Sequence, residues 1–84
     1  MIRKIVIPKP VRKKLKKLPS HIQDKFWFSL KKTIENPSYP SLRHGKLEGT
    51  EHWEFSLTMN YRVTYRLEVD KLIILNVGKH EDVF

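Results

Sequence analysis

The chain ends in NVGKHEDVF, residues 76–84, and this ending holds residue types that one metal-free reaction requires. RNA is cut when its own 2′-hydroxyl attacks the adjacent phosphate, so an enzyme supplies a base, an acid and cations for the phosphoryl oxygens. A histidine such as His80 suits acid or base catalysis near neutral pH. An arginine such as Arg62 holds phosphoryl oxygens through its fork of donors, and a ring such as Phe84 stacks on an unpaired base.

Each of these residues also has a structural explanation, and any basic domain contains such residue types. Arg62 can pair with Glu54 across neighbouring strands. His80 can be an exposed residue near the chain end, and Phe84 can pack on the edge of the core. From residue types alone, these structural explanations are favoured about two to one.

Other chemistries find little support in the sequence. The absence of cysteine excludes disulfides and thiolate metal sites. The four histidines show no metal-ligand spacing, so we predict neither a metal nor a cofactor. There is no glycine-rich phosphate loop and no Gly-x-Ser-x-Gly motif, which leaves nucleotide hydrolysis and acyl transfer unsupported.

Length and charge indicate one small basic domain, residues 1–84, with an anionic partner. The chain has 17 Lys and Arg against 9 Asp and Glu, a formal net charge of +8. Such an excess fits nucleic acid, an acidic protein or an anionic membrane surface. The segment VRKKLKKL, residues 11–18, is either a solvated helix face or a set of phosphate contacts. A membrane role ranks low, because this segment is short and has no aromatic anchor.

The first half of the chain predicts one strand and two helices. Residues 2–7 are rich in β-branched side chains and predict a strand that Pro8 closes. The run is too short for a signal peptide or a membrane span, so we expect a soluble, cytoplasmic and complete chain. Residues 10–18 carry one apolar stripe and predict a helix that Pro19 ends. Ser20-His21-Ile22-Gln23 has the form of a capping box and predicts a second helix, to about Glu35. Residues 36–50 predict a loop.

The second half has the two-residue period of strands. Alternation over residues 53–57 and 61–67, a turn at 69–71 and an apolar run at 72–77 predict an antiparallel meander. The predicted fold is α+β, in the order β-α-α-β-β-β, with both helices packed on one face of the sheet. The other face then carries mostly polar residues: Glu54, Ser56, Arg62, Thr64 and Arg66.

Four segments, in their order and spacing, resemble the RelE/ParE superfamily of small bacterial toxins: KLEG (46–49), WEFSL (53–57), NYRVTYRL (60–67) and LIILNVGKHEDVF (72–84). The ending with His80 and Phe84 is similar to YafQ-type members, in which the matching residues belong to the active site. Residues 60–65 are similar to the RelE-type pattern, whose arginine, matching Arg62, stabilises the scissile phosphate. The resemblance implies an mRNA interferase that cuts mRNA in the ribosomal A site and is silenced by a cognate antitoxin.

The sequence departs from the family pattern where a general base is expected. Gly45 stands where YafQ-like toxins have a histidine, and Ser56 aligns with a second one. RelE-like toxins carry lysines on the strand that here reads Trp-Glu-Phe. The candidates for the base are therefore Lys46, His44, His52 and Glu54. The loop is expected to place Lys46 and His44 at a nucleic-acid groove on the sheet face that carries Arg62.

These considerations give a set of predicted site residues and partners. The predicted catalytic residues are His80, Arg62, Lys46 and Glu54, and the predicted nucleic-acid contacts are Phe84, Arg43, His44, Lys79, Arg66, Lys13 and Lys17. The expected partners are a cognate antitoxin, the ribosome and mRNA, with a monomer when free and a hetero-oligomer with antitoxin. Two alternatives stay open: a ParE-like poison of DNA gyrase, and a non-catalytic basic module that binds RNA or DNA.

Overall fold

Two helices cover one face of a five-stranded sheet in the computed structural model, which describes residues 2–79. The strands are β1 (Lys4–Val6), β2 (Gly45–Lys46), β3 (Trp53–Ser56), β4 (Tyr61–Glu68) and β5 (Lys71–Lys79). The helices are α1 (Lys9–Lys16) and α2 (Ser20–Glu35), and a 3₁₀ turn spans Pro40–Leu42. The α+β class and the two-helix arrangement are confirmed. The predictions for His80 and Phe84 lie outside the described residues.

The sheet has the strand order β1-β5-β4-β3-β2. Strand β1 pairs with β5 in parallel, and the other neighbours are antiparallel, as the predicted meander requires. The segment predicted as a loop contains the additional strand β2, which pairs Gly45 with Glu54 and Lys46 with Trp53. A strand of two residues is too short to show a period, which is why the sequence pattern missed it.

The core lies between the helices and the sheet. It is formed by apolar stripes of α1 and α2 and by alternate residues of the long strands, and its buried members include Val11, Leu15, Ile22, Phe26, Leu30, Phe55, Val63 and Tyr65. Side chains alternate across a sheet, so Arg62 and Thr64, the neighbours of Val63, project from the face away from the helices. We call this face, with Glu54, Ser56, Arg62, Thr64 and Arg66, the polar face.

A β-bulge in β5 determines which of its residues join the polar face. Tyr65 pairs with Ile74 and Thr64 with Asn76, so Leu75 has no opposite residue. The extra residue shifts the alternation and lets Leu72, Ile74 and Val77 all lie in the core. The shift also aligns Asn76 with Thr64, and Gly78 with Arg62, on the polar face.

The junction between the helices differs from the predicted capping box. Pro19, not Ser20, occupies the N-cap of α2, and no side chain caps it. The Nε2 atom of Gln23 instead donates hydrogen bonds to the carbonyl oxygens of Leu18, at 2.8 Å, and Lys16, at 3.3 Å. The capping-box prediction was therefore wrong, and Gln23 closes the end of α1 rather than the start of α2.

Replacing Gln23 with glutamate tests this assignment. A glutamate would satisfy a capping box, but a carboxylate cannot donate to the carbonyls at the end of α1. We expect Gln23→Glu to lower the free energy of unfolding by about 1 kcal/mol, the usual contribution of such a bond. Urea denaturation measures the change, with exposed Asp24→Asn on the same turn as the control. Unchanged stability in Gln23→Glu would contradict the assignment.

Candidate active site

An ion pair between Arg62 and Glu54 lies on the polar face. The Nη1 atom of Arg62 donates to Oε1 of Glu54 at 2.9 Å, and the two side chains are 17% and 15% exposed. In the sheet register Ser56 lies opposite Arg62 and Thr64 opposite Glu54, so the pair runs diagonally between β3 and β4. The cross-strand pairing that the sequence allowed is present, and it fixes the guanidinium in a poorly hydrated place.

Small and polar residues surround this pair. Ser56 and Thr64 are 4% and 3% exposed, and Gly78, which lies opposite Arg62 on β5, is also buried. A glycine in a strand leaves room for another group to approach the backbone, because it carries no side chain. Within residues 2–79, the buried Oε2 atom of Glu54 and the Oγ atom of Ser56 have no hydrogen-bond partner. The face therefore holds a fixed arginine and an acceptor with unused capacity.

Sequence reasoning missed the link between this face and the basic helix. Strand β1 pairs only with residues 71–73 of β5, and α1 lies against β5 as well. The Nζ atom of Lys14 donates to Oδ1 of Asn76 at 2.9 Å. Asn76 is the one polar residue within the apolar run 72–77. This interruption of the run is the sequence signal from which a role for Asn76 could have been predicted. The link places Lys14 of α1 at the edge of the polar face.

Two of the predicted site residues lie on the other side of the sheet. The Nε2 atom of His44 is hydrogen-bonded to the Tyr65 hydroxyl, and its ring stacks on that of Trp53 at 5.3 Å and 14°. Lys46 places Nζ 6.0 Å from the Trp53 ring centre and 3.7 Å from the Glu51 carboxylate. Within β2, Gly45 lies opposite Glu54 and therefore on the face of the ion pair. Because side chains alternate along a strand, its neighbours His44 and Lys46 lie on the other face, away from the pair.

The remaining predicted residues are exposed cations at several places. Arg66 lies on the polar face and pairs with Glu68 at 2.8 Å. Lys13 and Lys17 lie on and just after α1, near Lys14, whereas Arg43 adopts a left-handed backbone (φ 47°) beside His44. Lys79 ends β5 opposite Tyr61, and His52, the other candidate base, is exposed in the β2–β3 connection. Arg66 thus shares the polar face with Arg62. Arg43 adjoins the group of His44, Trp53 and Tyr65, which we call the His44 cluster.

Burial shifts two pKa values in the His44 cluster. Desolvation lowers the pKa of His44 below its ordinary value of 6.5 and raises the pKa of Tyr65 to about 12. Both shifts favour the neutral forms, which suits a hydrogen bond between the imidazole and the phenol. His44 in this position is therefore a neutral packing residue at neutral pH rather than a cation for phosphate.

The His44 shift predicts a pH dependence of stability. Between the lowered pKa in the folded chain and 6.5 in the unfolded chain, the unfolded state binds more protons. The free energy of unfolding should therefore fall as the pH drops from 7.5 through 6.5 towards 5.5, and this dependence should weaken in His44→Gln. Urea denaturation at pH 7.5 and at pH 5.5 measures this change in the free energy of unfolding. Tyr65→Phe keeps the burial and should keep the dependence; an equal dependence in His44→Gln would refute the explanation.

The fold and the polar face define a class of protein: a small basic α+β domain with two helices on one side of a sheet and an arginine–carboxylate pair on the other. Residues 5–84 match the family model described as the ParE toxin of type II toxin-antitoxin systems, parDE. The chain therefore belongs to this toxin family, within the RelE/ParE superfamily, as its sequence resemblance indicated. No curated protein sequence matches it significantly.

Solved structures of related toxins have the same fold. The chain resembles YafQ from Escherichia coli BL21(DE3) with a TM-score of 0.79 and 16% identity, over 98% of both chains. It resembles the YoeB/ParE toxin from Agrobacterium tumefaciens with a TM-score of 0.79 and 15% identity, over 93% of this chain and 99% of that one. The archaeal RelE–RelB complex from Pyrococcus horikoshii gives a TM-score of 0.76 and 26% identity, over 94% and 96%. The chain thus has the fold of the YafQ, YoeB and RelE toxins.

None of the helices in residues 2–79 is long and apolar enough to cross a membrane.

Proposed function

We propose that this toxin is a ribosome-dependent mRNA endoribonuclease that acts in the cytoplasm and inhibits translation. The observation that carries the proposal is the Arg62–Glu54 pair, held on a sparsely hydrated polar face opposite Gly78. The RelE and YafQ likenesses support the reaction class, and the RelE–RelB complex supports an antitoxin as the partner that silences the toxin. The toxin is a monomer when free and a hetero-oligomer with its antitoxin.

The reaction is an intramolecular transesterification that needs no metal. A base removes the proton of the 2′-hydroxyl, the 2′-oxygen bonds to phosphorus, and the bond from phosphorus to the 5′-oxygen breaks. An acid then protonates the departing 5′-oxygen, which leaves a 2′,3′-cyclic phosphate and a 5′-hydroxyl. Arg62 binds the phosphoryl oxygens while negative charge builds on them, and its prior fixation by Glu54 avoids reorganisation during the reaction.

Two residues, His80 and Glu54, are proposed for the proton transfers. His80 is assigned as acid or base from the family resemblance of the ending, and Phe84 is assigned to stack on a base of the mRNA. Glu54 has a positioning role towards Arg62, and its second oxygen makes it the candidate base on the polar face. Lys46 is not needed in this assignment, because it lies beside Trp53 on the other side of the sheet.

Glutamine at position 54 separates the two roles of Glu54. Gln keeps an oxygen that accepts from Arg62 but cannot take a proton. If Glu54 is the base, Glu54→Gln loses cleavage in the ribosome assay. If Glu54 only positions Arg62, Glu54→Gln keeps part of the rate.

The proposed nucleic-acid interface extends from this pair to nearby cations. Arg66 lies on the same face, and Lys14 reaches Asn76 at the edge of β5. Lys13 precedes Lys14 in α1, and Lys17 is the C-cap of this helix. Arg43 and Lys79 are proposed as peripheral phosphate contacts. Such contacts supply salt-dependent affinity for mRNA and ribosomal RNA without selecting a sequence.

A gyrase poison is the second candidate, favoured by one observation: the family model that matches is the one described for ParE toxins. Expression in bacteria separates the two. The interferase produces new mRNA ends within minutes, located inside translated codons, before any DNA-damage response. A DNA-damage response without new mRNA ends would replace our proposal with the gyrase poison. If expression produces neither new mRNA ends nor a DNA-damage response, the third candidate, a non-catalytic module, is favoured.

A further inference from the structure

Lys14 is held in place at both ends of its side chain. Its Cα belongs to α1, and its Nζ atom donates to Oδ1 of Asn76 at 2.9 Å. The backbone N–H of Val77 donates to the same oxygen, also at 2.9 Å, so the amide that receives the lysine is itself fixed. Lys14 is half-buried, whereas Lys16, two residues further along α1, is exposed.

The β-bulge at Leu75 is what gives Asn76 its place in this contact. Regular alternation from Leu72 and Ile74, which lie in the core, would turn Asn76 towards the core as well. The extra residue turns it to the polar face instead, opposite Thr64. Bulges beside functional sites commonly redirect a side chain in this way. The backbone of β5 is therefore shaped to present an amide to a lysine at the edge of the polar face.

The contact leaves the positive charge of Lys14 uncompensated. Asn76 is neutral, and none of the ion pairs within residues 2–79 includes Lys14. Immobilising a lysine side chain costs conformational entropy, which an acidic partner would offset better than an amide does. An amide fixes the ammonium group and keeps its charge available to an anion. An ammonium group has three N–H donors, and the bond to Asn76 uses one of them.

The spacing of Lys14 from Arg62 suits the backbone of a single strand. Thr64 lies opposite Glu54 on one side and opposite Asn76 on the other, so these two residues are two strand spacings apart, about 10 Å. Arg62 is bonded to Glu54 and Lys14 to Asn76, so the two cations are separated by a distance of that order. One phosphate group is too small to contact both. Cations spaced along a polar floor are typical of grooves that follow a nucleic-acid backbone.

We propose that Lys14 binds the phosphodiester next to the one that Arg62 binds, and that Asn76 is the positioning residue that fixes Lys14. The identity of the strand as the mRNA to be cut rests on the proposed function; the phosphodiester chemistry rests on the charge and spacing of the two cations. A second fixed cation sets the register of the strand, so that one phosphate is delivered to Arg62. It does so without selecting a sequence, because phosphates carry no sequence information.

Binding of trinucleotides to the purified full-length protein, followed by NMR titration at low salt, tests the proposal. The probe is a trimer of 2′-O-methyluridine, which cannot be cleaved and has two charged phosphodiesters. In the comparison probe a neutral methylphosphonate replaces one of them. We expect the second charge to raise the affinity of the wild type about tenfold, as one charge-assisted hydrogen bond usually does. Lys14→Ala should bind both probes equally. Lys16→Ala removes an exposed charge from the same helix and should keep the tenfold difference.

Aspartate at position 76 separates phosphate binding from a purely structural tether. Asn76→Asp keeps an oxygen that accepts from Lys14, and the carboxylate compensates the charge of the lysine. If Lys14 binds phosphate, a folded Asn76→Asp loses most of the tenfold difference between the probes. If Lys14 only ties α1 to the sheet, Asn76→Asp and Lys14→Ala both keep that difference. Urea denaturation establishes that each variant is folded.

The outcomes also separate this role from the proposed activity. The inference is overturned if the wild type binds both probes equally, if Lys14→Ala or Asn76→Asp keeps the full difference, or if Lys16→Ala loses as much as Lys14→Ala. A toxin that cleaves mRNA and gives any of those results loses the role of Lys14 alone. A protein that shows the Lys14-dependent difference but cuts no mRNA on ribosomes loses the proposed reaction alone.

Discussion

Arg62→Ala is expected to lower the rate of mRNA cleavage by a factor of about 100 or more, the usual loss when one fixed donor to a transition-state oxyanion is removed. The guanidinium is held by Glu54 at 2.9 Å in a site with little water, where its interaction with developing charge is strong. Arg62→Lys keeps the charge but loses the fork of donors, so we expect an intermediate rate.

The measurement uses purified protein, ribosomes and one defined mRNA under single-turnover conditions. Arg3→Ala is the matched control, because Arg3 is an exposed arginine at the far end of the sheet. Removing Arg62 also leaves the Glu54 carboxylate without this partner, at a cost of about 1–3 kcal/mol in stability. Urea denaturation must therefore show that the variant is folded; a folded Arg62→Ala that cleaves at the wild-type rate would exclude Arg62 from the reaction.

Phe55→Ala is expected to produce the largest loss of stability, about 3–5 kcal/mol, which is the range for removing a fully buried aromatic ring. Phe55 is 0% exposed in the centre of β3, and its ring lies 5.9 Å from that of Tyr65. The cavity would lie directly beneath the strand that carries Glu54. A domain of this size has a total stability of about 5–15 kcal/mol, so the variant is close to unfolding.

Thermal and urea denaturation measure this loss. Phe28→Ala is the control, because Phe28 is 45% exposed on α2 and its removal creates no enclosed cavity. We expect the control to cost about 1 kcal/mol or less, as is usual for surface positions. Equal losses in the two variants would mean that the β3 side of the sheet is not the centre of the core.

The periodicity of the sequence predicted the fold well where an element is long and has one apolar face and one polar face. Both helices, the three long strands and the β4–β5 turn follow from stripes and alternation that the structure reproduces. The bulge at Leu75 could not be predicted, since a run of apolar residues has no alternation to break. Strand β2 was missed because its pairing depends on β3 rather than on its own two residues.

The candidate site was harder to predict, because its members meet only through the register of the sheet. Arg62 and Glu54 were singled out, and the diagonal that joins them is a property of the β3–β4 pairing. His44 and Lys46 are close to Glu54 along the sheet, yet they lie on the opposite face of the sheet. Which residues of β2 lie on which face depends on the register between β2 and β3. Asn76 gained its position from the bulge, so only the folded chain relates it to Lys14.

The most direct test of the central claim is in vitro translation of a defined mRNA with the purified toxin, followed by primer extension to map new RNA ends. Parallel reactions omit the ribosomes or use His80→Ala, which tests the one proposed catalytic residue that comes from the resemblance alone. The proposal predicts cuts within codons that occupy the A site, which disappear in both controls. Intact mRNA in every reaction, from a folded toxin that still arrests growth, would contradict it.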